Sequence, residues 1–125
     1  MLTIDMRFDD PASVYVVRLP DPIRLAALKQ WELTLSRIAR ASSRQPLTLL
    51  IDSGIHHFES LEALRYLRTL LSSGPIASAL VRVAFVAPAR FRPEEIVSDR
   101  EAYFNRFEDA LAWLRTVKIK GDHLF

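Results

Sequence analysis

Apolar and polar residues alternate from the first positions of the chain. Leu2, Ile4, Met6 and Phe8 are separated by Thr3, Asp5 and Arg7, the period-two rhythm of a strand with one face buried. Asp9-Asp10-Pro11 breaks that rhythm, because Pro11 has no N–H to donate and Asp favours turns. Val14 to Leu19 reads as a second strand, with β-branched Val16 and Val17 at its centre. The opening is therefore an antiparallel hairpin, with a connection longer than the tight two-residue type.

The period then lengthens. Leu28, Trp31, Leu35 and Ile38 fall three and four apart, one apolar stripe on a helix. Asp21 is placed as its N-cap and Pro22 at its first position, where a missing N–H costs nothing. Ser42-Ser43-Arg44-Gln45-Pro46 ends it. The short run LTLLI, Leu47 to Ile51, has the character of a central strand covered on both faces. Ser60 precedes Leu61, Leu64, Leu67 and Leu71, the stripe of a second helix that stops at Ser73-Gly74-Pro75.

Leu80 to Val86, LVRVAFV, is the most strand-like run in the chain. Arg82 inside it is read as marking a sheet edge or a strand end, since a core-facing guanidinium would need a partner. Pro93-Glu94-Glu95 reads as opening a short helix, and Ala102 to Phe104 as the last strand. Asn105 is read as the cap of a final helix whose stripe is Phe107, Ala110, Leu111 and Leu114, with Trp113 at its margin. The order β-β-α-β-α-β-(α)-β-α predicts an α/β fold: a hairpin, then strands alternating with helices through right-handed crossovers. A mixed sheet of about five strands with flanking helices follows. Residues 1–117 are expected to form a single domain and residues 118–125 a loosely held tail.

Composition narrows the function classes. The chain has 125 residues, 50% of them apolar and 26% charged, ordinary globular proportions. No cysteine is present, which excludes disulfides and thiolate metal sites. No run approaches about 18 apolar residues, so no membrane span is expected. The opening MLTIDMRFDD lacks a cationic leader, and a cytoplasmic location is the expectation. The net charge of +2 is small and dispersed, which argues against nucleic acid as a partner.

Two segments carry a resemblance. LTLLIDSGIHHFESLEALRYL is similar to the stretch of STAS domains in which a central strand ends in an acid, a Gly-hydrophobic pair and an aromatic follow, and an acid-Ser pair opens a helix. YFNRFEDALAWLR resembles the last strand and helix of the SpoIIAA-like group, related to the sporulation anti-sigma factor antagonist. The resemblance implies a STAS/SpoIIAA-like sandwich and a bacterial regulatory protein. It also implies that Ser60 is the position that accepts phosphate from an anti-sigma kinase in phosphorylated members. Glu59 stands where Asp is usual there, Leu61 where a small residue is usual, and Glu62 where Gly is frequent.

The candidate chemistry is sparse. Ser60 is read first as an N-cap and second as a phosphoacceptor, where phosphate would gain from the helix dipole but meet Glu59 and Glu62. Asp52, Ser53 and Gly54 occupy the C-terminal edge of a central strand, the side of an open α/β sheet on which ligands bind. Ser53 as a nucleophile would need a base, and His56 and His57 are too close in sequence to assume a triad. Adjacent histidines in extended chain point apart, and His123 is the only other, so no metal site and no cofactor are expected. Phe91, between Arg90 and Arg92, is read as a plug for the sheet edge.

The first functional expectation is a non-enzymatic regulatory or protein-interaction domain. It would dock through Asp52, Ser53, Gly54, His56, His57, Glu59 and Glu62, with Ser60 as an optional switch. Its protein partner is unidentified, and a homodimer is left open. The alternative is a small-molecule or lipid-binding module with an apolar pocket between sheet and helices near Phe91 and Trp113.

Overall fold

A computed structural model describes residues 4–9, 14–41, 47–52, 58–90 and 92–116. The chain order is β1 (Asp5–Asp9), β2 (Val14–Arg18), α1 (Leu25–Ala41), β3 (Leu47–Asp52), α2 (Leu61–Ser72), α3 (Gly74–Ala79), β4 (Leu80–Val86), β5 (Glu95–Ile96), β6 (Glu101–Phe104) and α4 (Phe107–Arg115). The six strands form one mixed sheet in the order β1-β2-β3-β4-β6-β5. β1 and β2 are the antiparallel hairpin. β2, β3, β4 and β6 then run parallel, as the alternation of strands and helices requires.

β3 is the centre of the core. Leu47 to Ile51 are all buried, because apolar layers cover both faces of the strand. Leu49 and Ile51 pack with Leu28, Trp31 and Leu35 of α1, Leu67 and Leu70 of α2, and Ile76 of α3. Leu50 faces the other way, with Ala84 and Val86 of β4 and Ala110 and Leu114 of α4. α1, α2 and α3 therefore share one face of the sheet, and α4 holds the other. Among the described residues Thr48 is the one buried hydroxyl in this core, and it has a partner.

Several local expectations change once tertiary contacts act. α1 begins at Leu25, not at Pro22. Ile23 is fully buried and stays extended, in a parallel bridge with Phe58, and its carbonyl accepts from the Glu59 N–H at 2.8 Å. The Gly74-Pro75 stop does end α2, but it also starts α3. Gly74 has φ +83 and Pro75 occupies the first turn. A Cβ at Gly74 would meet open space, so the requirement is conformational, not steric.

Residues 93–95 open no helix. Glu95 and Ile96 instead add a sixth, two-residue strand antiparallel to β6. Asn105 does not cap α4; the N-cap position is Arg106. The Asn105 amide donates to the carbonyls of Ala87 at 2.9 Å and Arg92 at 2.8 Å, tying the exit of β4 to the β4–β5 connector. These two hydrogen bonds from the amide nitrogen orient the side chain toward the connector and away from the helix end.

Arg82 is not at a sheet edge, since β4 has a strand on each side. It sits near the N-terminal end of β4 and reaches the C-terminus of α4. Its Nε donates to the Asp99 carbonyl at 2.8 Å, and its Nη1 donates to the Trp113 carbonyl at 2.8 Å and to Thr116 Oγ1 at 2.6 Å. The guanidinium also lies 4.3 Å from the centroid of the Trp113 ring. A cation is favourable there, because the last carbonyls of a helix are unpaired and carry its negative dipole end. Arg100 repeats the device on α3, donating to Ala77 O and Leu80 O. No described helix is long and apolar enough to cross a membrane. Arg82→Met should lower stability by about 2 kcal/mol through lost charge-assisted hydrogen bonds. The check is the denaturant midpoint, with unchanged far-ultraviolet circular dichroism before the transition.

Candidate ligand-binding groove

α2 carries more leucine than the core can absorb. Of its predicted stripe, Leu67 is buried, Leu64 and Leu71 are half-buried, and Leu61 is 59% exposed. The buried face is rotated toward Ala63, Leu67 and Leu70, where α1 and α3 pack. Tyr66 helps set that rotation by donating to Glu32 of α1, and this hydrogen bond raises the Tyr66 pKa. Leu64 and Leu71 are left facing the sheet beyond β3.

Opposite them, Val83 and Phe85 of β4 and Glu101 and Tyr103 of β6 point to the same face. Between helix and sheet lies a groove of about 600 Å³, open to solvent, whose lining also includes Leu19 and Phe58. This volume is within the range of small-molecule sites, about 300–1,000 Å³. Leu19, Phe85, Ala87 and Tyr103 place it toward the C-terminal ends of the parallel strands, the usual ligand side of an α/β sheet. A second depression of about 310 Å³ between β1 and α1 is shallower, beside the Trp31 indole that donates to Met6 Sδ.

The floor of the groove is built around Tyr103. Phe85 stacks on it with centroids 5.0 Å apart and planes at 17°. The Arg92 guanidinium lies 4.0 Å from its centroid. Phe85 on β4 and Arg92 in the β4–β5 connector thus both engage this ring. The Tyr103 hydroxyl donates to Glu101 Oε2 at 2.8 Å. Burial pushes its pKa up, and the bond to Glu101 and that carboxylate's charge push it further, against the opposing charges of Arg92 and Arg68. The phenol is thus protonated at neutral pH and remains a donor. Arg92 also meets Glu95 at 3.2 Å. Arg68, on α2, lines the groove on the helix side.

The residues anticipated from sequence are distributed differently. Ser60 is the N-cap of α2, its Oγ accepting from Ala63 N at 3.1 Å. Glu59 contributes its backbone to the bridge with Ile23, and Glu62 sits exposed in the first turn, where the dipole favours an acid. Asp52 faces Arg18 at 3.7 Å across β2 and β3, an exposed and weak pair. Ser53, Gly54, His56, His57 and Phe91 lie outside the described residues, as does the 118–125 segment. Trp113 is on the opposite face of the sheet from the groove, packed on Phe104 at 5.8 Å.

Sequence reasoning did not single out Arg68, Phe85 or Tyr103. The available signal was the surplus of leucine on α2, together with aromatics at matched positions of two parallel strands. Among the described residues no three carboxylates or imidazoles converge on a metal position.

The arrangement has a known counterpart. A crystal structure of an uncharacterised protein of the DUF3478 family from Shewanella loihica PV-4, described as having a SpoIIAA-like fold, superposes with a TM-score of 0.63. The match covers 90% of this chain and 92% of that one at 18% identity. This chain has the SpoIIAA-like fold. No family model matches the sequence, and no curated protein matches it either. The SpoIIAA-like match describes the fold as a whole. At this identity it speaks for architecture, while the groove rests on this chain's own side chains.

The raised Tyr103 pKa carries a sign. A phenol whose folded pKa exceeds its unfolded value near 10 contributes stability that is present below that value and lost as pH rises through the folded one. Tyr103→Phe should therefore flatten the alkaline loss of stability above about pH 10, measured by denaturant titration across pH. An unchanged alkaline arm would contradict the proposed environment of Tyr103.

Proposed function

We propose that the protein is a non-enzymatic binding domain that takes a small amphipathic molecule in the groove between α2 and the β4–β6 part of the sheet. The observation that carries this reading is the groove itself: Leu64 and Leu71 stand half-exposed opposite Phe85 and Tyr103, in a lining that also holds Arg68, Arg92 and Glu101. Apolar surface held open in this way is the usual property of a ligand site. The non-enzymatic part is supported by the polar groups lining it. The Ser72 hydroxyl is engaged with the Arg68 carbonyl of its own helix at 2.6 Å, and Glu101 is engaged with Tyr103. Neither is an activated nucleophile beside a base, which acyl or phosphoryl transfer through a covalent intermediate would need.

A second reading has its own support. Ser60, Leu61 and Glu62 are exposed together at the start of α2, a polar-apolar surface suited to a protein partner. On this reading the segment from Asp52 to Glu62 docks a regulatory protein, and phosphorylation of Ser60 switches the contact. The protein would then act in the manner of an anti-sigma factor antagonist.

Each reading has a separate test. N-phenyl-1-naphthylamine, a neutral apolar dye, should bind the full chain with enhanced fluorescence. Leu71→Gln should weaken it about ten-fold, the loss expected when part of a leucine contact, about 1.4 kcal/mol, is removed. Dye that fails to bind, or binds the variant equally well, overturns the groove reading. For the switch, the wild-type, Ser60→Ala and Ser60→Asp chains are used to capture partners from the native cells. Asp caps a helix as well as Ser, whereas Ala costs about 1 kcal/mol, so a partner retained by Ala and lost by Asp cannot be explained by unfolding. Equal retention by both variants ends the switch reading.

A further inference from the structure

The charges at the groove are not equivalent. Arg92 is answered by Glu95 at 3.2 Å and lies against the Tyr103 ring. Glu101 accepts from the Tyr103 hydroxyl at 2.8 Å. The Arg68 guanidinium makes no hydrogen bond or ion pair among the described residues, yet it lines the groove and is close enough for its charge to act on Tyr103. Among the described residues, one positive charge without an ion-pair partner therefore lines the groove beside the α2 leucines. The chemistry that complements it is a single planar anion, since a guanidinium pairs with a carboxylate through two parallel hydrogen bonds. A doubly charged head would gain less, because Glu101 lies in the same groove.

The apolar body can be read in the same way. The Tyr103 ring is already engaged by Phe85 and by the Arg92 guanidinium. The helix side is leucine, from Leu64, Leu67 and Leu71. Branched aliphatic side chains on the helix side suit a flexible chain. We infer that the groove binds an aliphatic monocarboxylate, its chain against the α2 leucines and its carboxylate on Arg68. This rests on the groove reading above and adds the class of ligand to it.

The test uses displacement of N-phenyl-1-naphthylamine from the full chain by decanoate and by decanol, which share a chain length and differ in head group. Desolvation alone favours the alcohol, because a carboxylate gives up more hydration. A preference for decanoate therefore reports a cation. Decanoate should displace the dye at about five-fold lower concentration than decanol, the upper range of an exposed ion pair. Arg68→Gln should abolish that preference, read as the ratio of decanoate to decanol displacement within each chain; Arg68 is exposed and unpaired among the described residues, so the variant keeps its fold. Decyl phosphate should bind no better than decanoate. Decanol matching decanoate on the wild-type chain, a preference that survives Arg68→Gln, or tighter decyl phosphate each overturns the inference. In those cases dye binding still stands and the groove reading with it. A chain that binds no dye at all loses both.

Discussion

The burial of β3 on both faces is the constraint from which the rest of the architecture follows. Leu47 to Ile51 give up essentially all their contact with water, and they do so in two directions, with Leu49 and Ile51 in one cluster and Leu50 in the other. A strand can lose both faces only if apolar layers lie above and below it and hydrogen-bonded strands lie on each side. Its neighbours β2 and β4 run parallel to it, and parallel neighbours cannot be joined by tight turns. The crossover helices that result are the layers the strand needs. The topology and the core are thus two aspects of a single requirement.

The same requirement produces the groove. α1, α2 and α3 crowd together over the β2–β3 side of the sheet, where the largest buried side chains lie. α2 turns Ala63, Leu67 and Leu70 toward that cluster. A helix of this stripe width cannot also close over β4 and β6, so Leu64 and Leu71 are left opposite Phe85 and Tyr103 with space between. The stacked row of Phe85, Tyr103 and Arg92 stiffens the opposite side. Asn105 holds the connector that carries Arg92 by two hydrogen bonds to main-chain carbonyls. The groove is therefore bordered by fixed elements on the sheet side and by a helix anchored from its other face.

Arginine has structural work in this chain that a count of charges would miss. Arg82 and Arg100 satisfy the carbonyl ends of α4 and α3, and Arg92 closes one face of Tyr103. Arg68, beside the groove, is a lining cation with no hydrogen bond or ion pair to a described residue. The two functional readings meet on α2, whose first turn presents Ser60 and Leu61 and whose later turns line the groove.

The sequence by itself determined the opening hairpin, the alternation of the main strands and helices after it and the identity of the central strand, because hydrophobic period is a local property that one face or two faces of burial impose directly. LTLLI, LVRVAFV and the stripe of Leu28, Trp31 and Leu35 were legible for that reason, as was Ser60 as a cap, whose bond to Ala63 spans a single turn. What only tertiary structure decided involves competition between distant groups. Ile23 stays extended because Phe58 bridges it, which moves the start of α1. Asn105 leaves the helix end for two carbonyls, and residues 95–96 become a strand because β6 offers a free edge. The groove belongs to this second kind. Periodicity marks Leu64 and Leu71 as apolar-facing, but whether such a face meets a packed core or an open space depends on where β4 and β6 are placed, and no local pattern encodes that distance.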